Sequence, residues 1–157
     1  MRRIVFVLWA AIGVAGCSAQ PVQSAARVST DSSAATPDAA APGDLRGTDW
    51  RFVEVEGTAV PNDVVATLRL SGSRASGKAG CNSYGASWQM STDGGTQFGQ
   101  IISTKMACLE PAGVMQVERG VFDVLQHAVR LRRHGDNLVL LDASGQPLAK
   151  LAPAGSP

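Results

Sequence analysis

From residue 48 onward the chain alternates apolar and polar side chains in short stretches separated by turn-forming residues. This period of two limits the possible folds more than any other feature. Trp50 to Glu56 reads WRFVEVE and Val64 to Leu70 reads VVATLRL, the pattern of strands with one buried face. Ser71-Gly72-Ser73 supplies a hairpin turn between two extended stretches. Tyr84 to Met90 and Gln97 to Ser103 flank Asp93-Gly94-Gly95, a turn whose glycines provide positive φ. The end of the chain repeats the device: Arg130 to Arg133, a turn at His134-Gly135-Asp136-Asn137, Leu138 to Leu141, a turn at Asp142-Ala143-Ser144-Gly145, and Pro147 to Leu151. Parallel neighbours need long crossovers, so connections this short predict an antiparallel meander and a mainly β fold.

One segment breaks the pattern. Between Pro111 and Val129, apolar residues recur at Val114, Val117, Val121, Leu125 and Ala128, the spacing of a helix with one buried stripe. Pro111 suits a first helical turn, and Glu110 would place a carboxylate at the positive end of the helix dipole. At about 100° per residue, Gln116, Arg119, Asp123, Gln126 and His127 share the opposite, wet face. Glu118 does not join them, because it falls among Val114, Val121, Phe122 and Leu125. A carboxylate near a core must be paired, hydrogen-bonded or protonated. It can be a proton donor or ligand, or a clamp accepting bonds from a neighbouring strand or loop. The clamp is preferred, since no second carboxylate is placed beside it to form an acid–base pair.

The N-terminus carries a different signal. Arg2 and Arg3 precede a short apolar run from Ile4 to Val14, and Val14-Ala15-Gly16-Cys17 follows. This reads as a signal peptide over residues 1–16, too short for a mature membrane span of about 20 residues. Small residues before a cysteine resemble a bacterial lipobox, so Cys17 is the expected lipid attachment site and first mature residue; an ordinary secretory signal is the alternative. Ser18 in the next position resembles an outer-membrane sorting signal. The expected location is therefore the cell envelope, on the outer membrane facing the periplasm. Residues 17–43 are rich in Ala, Ser and Pro and nearly devoid of large apolar residues, the composition of a disordered tether. Residues 44–153 then form one small domain. With a formal net charge of +1 and scattered basic residues, nothing argues for a nucleic-acid partner. Arg130, Arg132 and Arg133 read as the solvent face of a strand rather than a phosphate track.

Three motifs bear on chemistry. Gly72 to Ala79, GSRASGKA, comes within one residue of a phosphate-binding loop, but Ala79 lacks the hydroxyl that holds magnesium, and a Gly-Cys-Asn turn follows where a helix should open. Nucleotide binding is not expected. With Cys17 lipidated, Cys81 and Cys108 form an even pair in an oxidising compartment, and a disulfide is expected. A metal site from Cys81, Cys108, His127 and His134 has suitable ligand types but no recognised spacing, and a Cys/His nucleophile would need a free thiol. No cofactor or metal is expected.

The stretches SGKAGCNSYGASW and FGQIISTKMACLEPAGVMQVERGVFDVL resemble the META domain of HslJ-like bacterial lipoproteins. The resemblance rests on Gly80-Cys81-Asn82-Ser83-Tyr84, on Thr104-Lys105-Met106-Ala107-Cys108, and on a helix with Met115, Glu118, Phe122 and Leu125, Phe122 being shifted by one from the usual aromatic place. The Leu45-x-Gly47-Thr48-x-Trp50 opening and the closing hairpins extend it over nearly the whole folded part. It implies an antiparallel meander curled into a partly open, lipocalin-like barrel around one helix. It also marks Asn82, Tyr84, Thr104, Met106 and Glu118 as structural or interaction residues. Family members are linked to heat-shock response, novobiocin resistance, motility or secretion and virulence, with no shared reaction. The expected function is that of a non-catalytic, lipid-anchored envelope protein whose META domain binds another macromolecule, an envelope protein partner, or supports envelope integrity under stress. The alternative is a carrier of a small apolar ligand, with Trp88, Tyr84 and Phe98 lining its mouth. An enzyme ranks third, for want of a triad, carboxylate pair or metal spacing.

Overall fold

The structure, a computed structural model, describes residues 43–155. Cys17, the signal peptide and nearly all of the tether lie outside the described residues. Ten strands and one helix follow in order: β1 (Thr48–Val55), β2 (Thr58–Ala59), β3 (Thr67–Ser71), β4 (Arg74–Ala79), β5 (Asn82–Met90), β6 (Thr96–Phe98), β7 (Ile102–Ser103), α1 (Val114–His127), β8 (Arg130–His134), β9 (Asn137–Leu141) and β10 (Pro147–Pro153).

All strand pairs are antiparallel, in the order β6-β5-β4-β3-β1-β10-β9-β8, with β2 added to β1 and β7 to β5. Most neighbours are joined by short turns, as the alternation predicts. The exception is β1 with β10, which sets Trp50 opposite Pro153 and Phe52 opposite Leu151 and so joins the two ends of the domain. The outer strands then approach each other: Gly95 bridges to Arg130, the Thr96 N–H donates to Val129 O at 2.8 Å, and the Leu131 N–H donates to Gly94 O at 2.8 Å. The sheet thus becomes a nearly closed barrel with one unsealed seam between β6 and β8.

Alternation assigns the faces. Leu68 and Leu70 point inward while Arg69 between them is exposed, bonded to Asp49, its cross-strand partner. Phe52, Leu68, Leu70, Leu138, Leu140 and Leu151 are fully buried, each such side chain contributing about 1.5–3 kcal/mol of transfer free energy. Arg130 and Arg132 are exposed as expected, but Arg133 has the opposite parity. It is half-buried, with its guanidinium carbon 5.4 Å from the centre of the Trp50 ring, a cation–π contact.

Two expectations need correction. The stretch Gln97 to Ser103 is not one strand: it splits into the end of β6 and β7, separated at Gly99. A Cβ at Gly99 would sit 2.1 Å from Ser87 Oγ, so the chain crosses β5 there too closely for a regular ladder. The helix also begins later than Pro111. Gly113, with φ 82°, precedes its first residue Val114, and the first turn holds no acidic side chain. Glu110 and Pro111 belong to the preceding loop, so the proposed charge–dipole contact is absent from the helix start. The wet face is as predicted, with Gln116, Arg119, Asp123, Gln126 and His127 all exposed, and Val124 joins the buried stripe.

The helix lies across one end of the barrel. A Cβ on Gly80 would be 2.7 Å from Val114 O, and one on Gly120 would be 2.7 Å from Val55 Cγ1. Val55 closes β1, and Gly80 joins β4 to β5 at the same end. Within the sheet, a Cβ on Gly77 would lie 2.1 Å from the backbone oxygen of Thr67, an atom that cannot rotate away. We therefore expect Gly77→Ala to lower the unfolding free energy by about 1–3 kcal/mol, measured by denaturant titration; an unchanged midpoint would show that β3 and β4 can separate freely.

Candidate functional site

Where α1 meets the start of β5, Asn82 organises the contacts. Gly80, with φ 72°, turns the chain out of β4 so that Asn82 enters β5 facing the helix. Its backbone N–H donates to Glu118 Oε2 at 2.8 Å, and its Nδ2 donates to Glu118 Oε1 at 3.0 Å and Oε2 at 2.9 Å. Nδ2 also donates to Met106 O at 2.9 Å. The side-chain oxygen Oδ1 accepts from the Thr104 hydroxyl at 2.7 Å and from the Met106 N–H at 2.8 Å. One amide thus ties together the helix, the sheet and the loop after β7. Asn82 is 2 % exposed and Glu118 is 7 % exposed.

This geometry gives each motif residue a distinct role. Glu118 accepts bonds from a strand, the clamp preferred from its position on the helical wheel. Thr104 acts through its hydroxyl, which also accepts from the Ser83 N–H at 3.2 Å. Met106 acts through its backbone, and its side chain is 55 % exposed. Tyr84 stands apart: its hydroxyl donates to Thr67 O at 2.9 Å, and its ring meets Phe122 edge-on with centroids 5.9 Å apart. Phe122, despite its shifted place, still packs on the motif tyrosine. Burial pushes the Tyr84 phenol well above its ordinary value.

Cys81 and Cys108 are joined by a disulfide closing 27 residues of sequence separation, worth about 3–4 kcal/mol by loop entropy. It adds a covalent tie between the same turn and loop that Asn82 connects. His127, the expected wet-face histidine, places Nδ1 3.4 Å from Asp123 Oδ2 on an exposed surface. The apparent phosphate loop is the β3–β4 hairpin, with Gly72 in the turn at φ 56° and Arg74 to Ala79 extended against β5.

An open cleft of about 480 Å³ borders this cluster, lined in part by Asn82, Lys105, Met106, Met115, Glu118 and Phe122. A smaller one of about 210 Å³ lies between the β1–β2 hairpin and the helix, lined by Val55, Val60, Val117 and Gly120 among others. Trp88, Tyr84 and Phe98 line neither; they are buried in the core, where Trp88 Nε1 donates to the Thr96 hydroxyl at 2.9 Å. The sequence gives no warning of the exposed apolar side chains that follow β6. Ile102, Met106 and Leu109 are 75, 55 and 90 % exposed, and only the lack of either period between residues 102 and 109 marks the stretch as irregular.

A small antiparallel barrel with one helix across its end, locked by an Asn–Glu clamp and a neighbouring disulfide, defines the class of protein. The META domain model matches residues 43–154, and the chain belongs to the META domain family. Among solved structures, an NMR structure of a protein from Burkholderia xenovorans is similar at 28 % identity and a TM-score of 0.57, covering 71 % of this chain and 85 % of the other. A second protein solved by NMR has the same fold at 18 % identity and a TM-score of 0.56, covering 70 % and 92 %. No curated protein matches the chain.

Removing the Asn82 side chain would leave the buried Glu118 carboxylate with one backbone donor in place of three hydrogen bonds, and would strip Met106 and Thr104 of their partner. Asn82→Ala is expected to cost about 3–5 kcal/mol, read by chemical denaturation; a loss below about 1 kcal/mol would mean that water replaces the amide without penalty. Tyr84 is the sole tyrosine of the chain, so its ionisation can be followed by absorbance. Because its folded value is raised, the stability it contributes is intact below the unfolded value near ~10 and declines as pH rises past it. Tyrosinate absorbance should therefore appear only together with alkaline unfolding, and a titration near 10 in folded protein would contradict the burial.

Proposed function

We propose that the chain is a non-catalytic, lipid-anchored protein of the cell envelope whose META domain binds a protein partner. The observation carrying this reading is the run of apolar side chains held out to solvent from β7 onward. Ile102, Met106 and Leu109 are exposed on a segment that Asn82, Thr104 and the Cys81–Cys108 disulfide fix in place. Single exposed apolar groups are ordinary, but three of them within residues 102–109 on a held segment offer apolar surface to a partner. Preorganisation also lowers the ordering cost of association. The lipobox-like sequence ending at Cys17 supports anchorage at a membrane.

Support for the apolar carrier is weaker. The smaller cleft, at about 210 Å³, falls below the roughly 300–1,000 Å³ usual for ligand sites, and the larger one includes the acidic Glu118 in its lining. The aromatic trio proposed for a barrel mouth fills the core instead.

Full-length protein recovered from membranes with its anchor is expected to enrich a protein that Cys17→Ala does not. The double variant Ile102→Ser, Leu109→Ser should lose that partner while keeping its stability within about 0.5 kcal/mol, as surface substitutions do. If nothing is enriched over the Cys17→Ala control, or if the double variant retains the partner in full, the surface is not a docking site.

A further inference from the structure

The cleft beside Glu118 combines a buried carboxylate, apolar walls and an opening to solvent. The carboxylate is held by the N–H and amide nitrogen of Asn82, which are neutral dipoles. Glu118 has no cationic partner among the described residues; the ion pairs there are Arg46–Asp44, Arg69–Asp49, His127–Asp123 and Arg130–Asp93. Neutral donors compensate part of the desolvation of a carboxylate and leave its formal charge in place. Oε1 accepts a single bond, which leaves it acceptor capacity. The charge complement that would complete this site is a cation from outside the domain.

The walls limit which cation fits. Ile101, Met115 and Phe122 line the cleft with Met106, offering aliphatic, thioether and aromatic surface. Such surface accommodates a methylene stem, and an aromatic ring also attracts a desolvated cation. A bare metal ion would find one carboxylate and no further carboxylate, imidazole or thiolate in the lining. Lys105 lines the same cleft but is exposed and forms no ion pair with Glu118. The volume of about 480 Å³ is within the range for ligand sites.

We propose that this cleft binds the cationic end of an aliphatic chain, an ammonium or guanidinium on a methylene stem, with the charge against Glu118 and the stem against Met115 and Phe122. The favoured source is a lysine or arginine side chain of the protein partner, and in this the inference rests on the partner-binding function. Met106, exposed and part of the lining, would then flank the entry of that side chain, and the charge pair would set the register of docking.

The test is an amide NMR titration of the folded protein with n-butylammonium, n-butylguanidinium and n-butanol. Saturable shifts at Asn82, Met106 and Met115 are expected with the two cations, and an at least about tenfold weaker response with n-butanol, the size of a lost charge-assisted contact. Glu118→Gln should weaken the cations to the level of n-butanol. Because that variant also alters the clamp, Ala107→Phe serves as a second: Ala107 is exposed and lines the cleft, so its replacement fills the space and should abolish the shifts with no change in thermal unfolding. Absence of saturable shifts, an equal response to n-butanol, or full binding by Ala107→Phe would each overturn the site.

Titration with N-acetyl-lysine N-methylamide separates the two sources of the cation. Binding at least as tight as n-butylammonium supports a protein side chain, while rejection of the blocked residue overturns that source in favour of free amines. The partner experiment fails independently. A partner enriched by a protein that ignores the amines sinks this site alone, and amine binding with no partner enriched sinks the docking function and the protein source, leaving the cleft as an amine site.

Discussion

Asn82 spends every hydrogen-bonding group of its side chain on two other parts of the domain: α1 through Glu118, and the loop after β7 through Thr104 and Met106. Neither of the side chains nearest to it in size could do this at the same place. Aspartate would face the Glu118 carboxylate with a second negative charge, and leucine of similar size would leave Glu118, Met106 and Thr104 without their partners. The helix contributes its apolar stripe to the core, and apolar burial is non-directional, which leaves some freedom of rotation. A directional bond at a fixed position on the helix removes that freedom. The orientation of α1 across the barrel end thus depends on one polar contact as much as on apolar burial.

Close backbone approaches make the same end of the barrel intolerant of change. Gly80 and Gly120 bring the chain against Val114 and Val55 within distances that exclude a Cβ. Together with the disulfide they fix the turn before β5, and this in turn fixes the segment that exposes Ile102, Met106 and Leu109. Rigidity near the clamp and exposure beyond it are linked: an apolar side chain held in water by a stiff support keeps its shape for a partner, whereas a loose one would fold back onto the domain. The proposed surface and the cleft beside Glu118 share this support.

Much of the architecture was legible because strand and helix periods are local properties of the sequence. The alternation in WRFVEVE and VVATLRL predicted β1 and β3, and the wheel positions of Val114 to Ala128 predicted both faces of α1, including the inward turn of Glu118. Expectations failed where a local rule competed with tertiary contact. Pro111 is a good first-turn residue, yet the helix starts only after Gly113, whose left-handed φ of 82° cannot belong to a helical turn. The run from Gln97 to Ser103 reads as one strand, yet Gly99 is pressed onto Ser87 and the ladder breaks. Arg133 looks like a solvated charge, but strand parity turns it toward Trp50.

The sequence by itself determined the antiparallel hairpins, the single amphipathic helix, the pairing of two cysteines and, through the ordered Gly-Cys-Asn and Thr-Lys-Met-Ala-Cys motifs, the family. Each of these depends on residue type and on spacing along the chain. Only the tertiary structure decided that β1 and β10 join to curl the sheet, that Thr104 and Met106 converge on one amide 22 to 24 residues away, and that Glu118 lines a cleft without an ion-pair partner among the described residues. Those arrangements are set by contacts between distant segments, whose pairing the local periodicity of a chain does not encode.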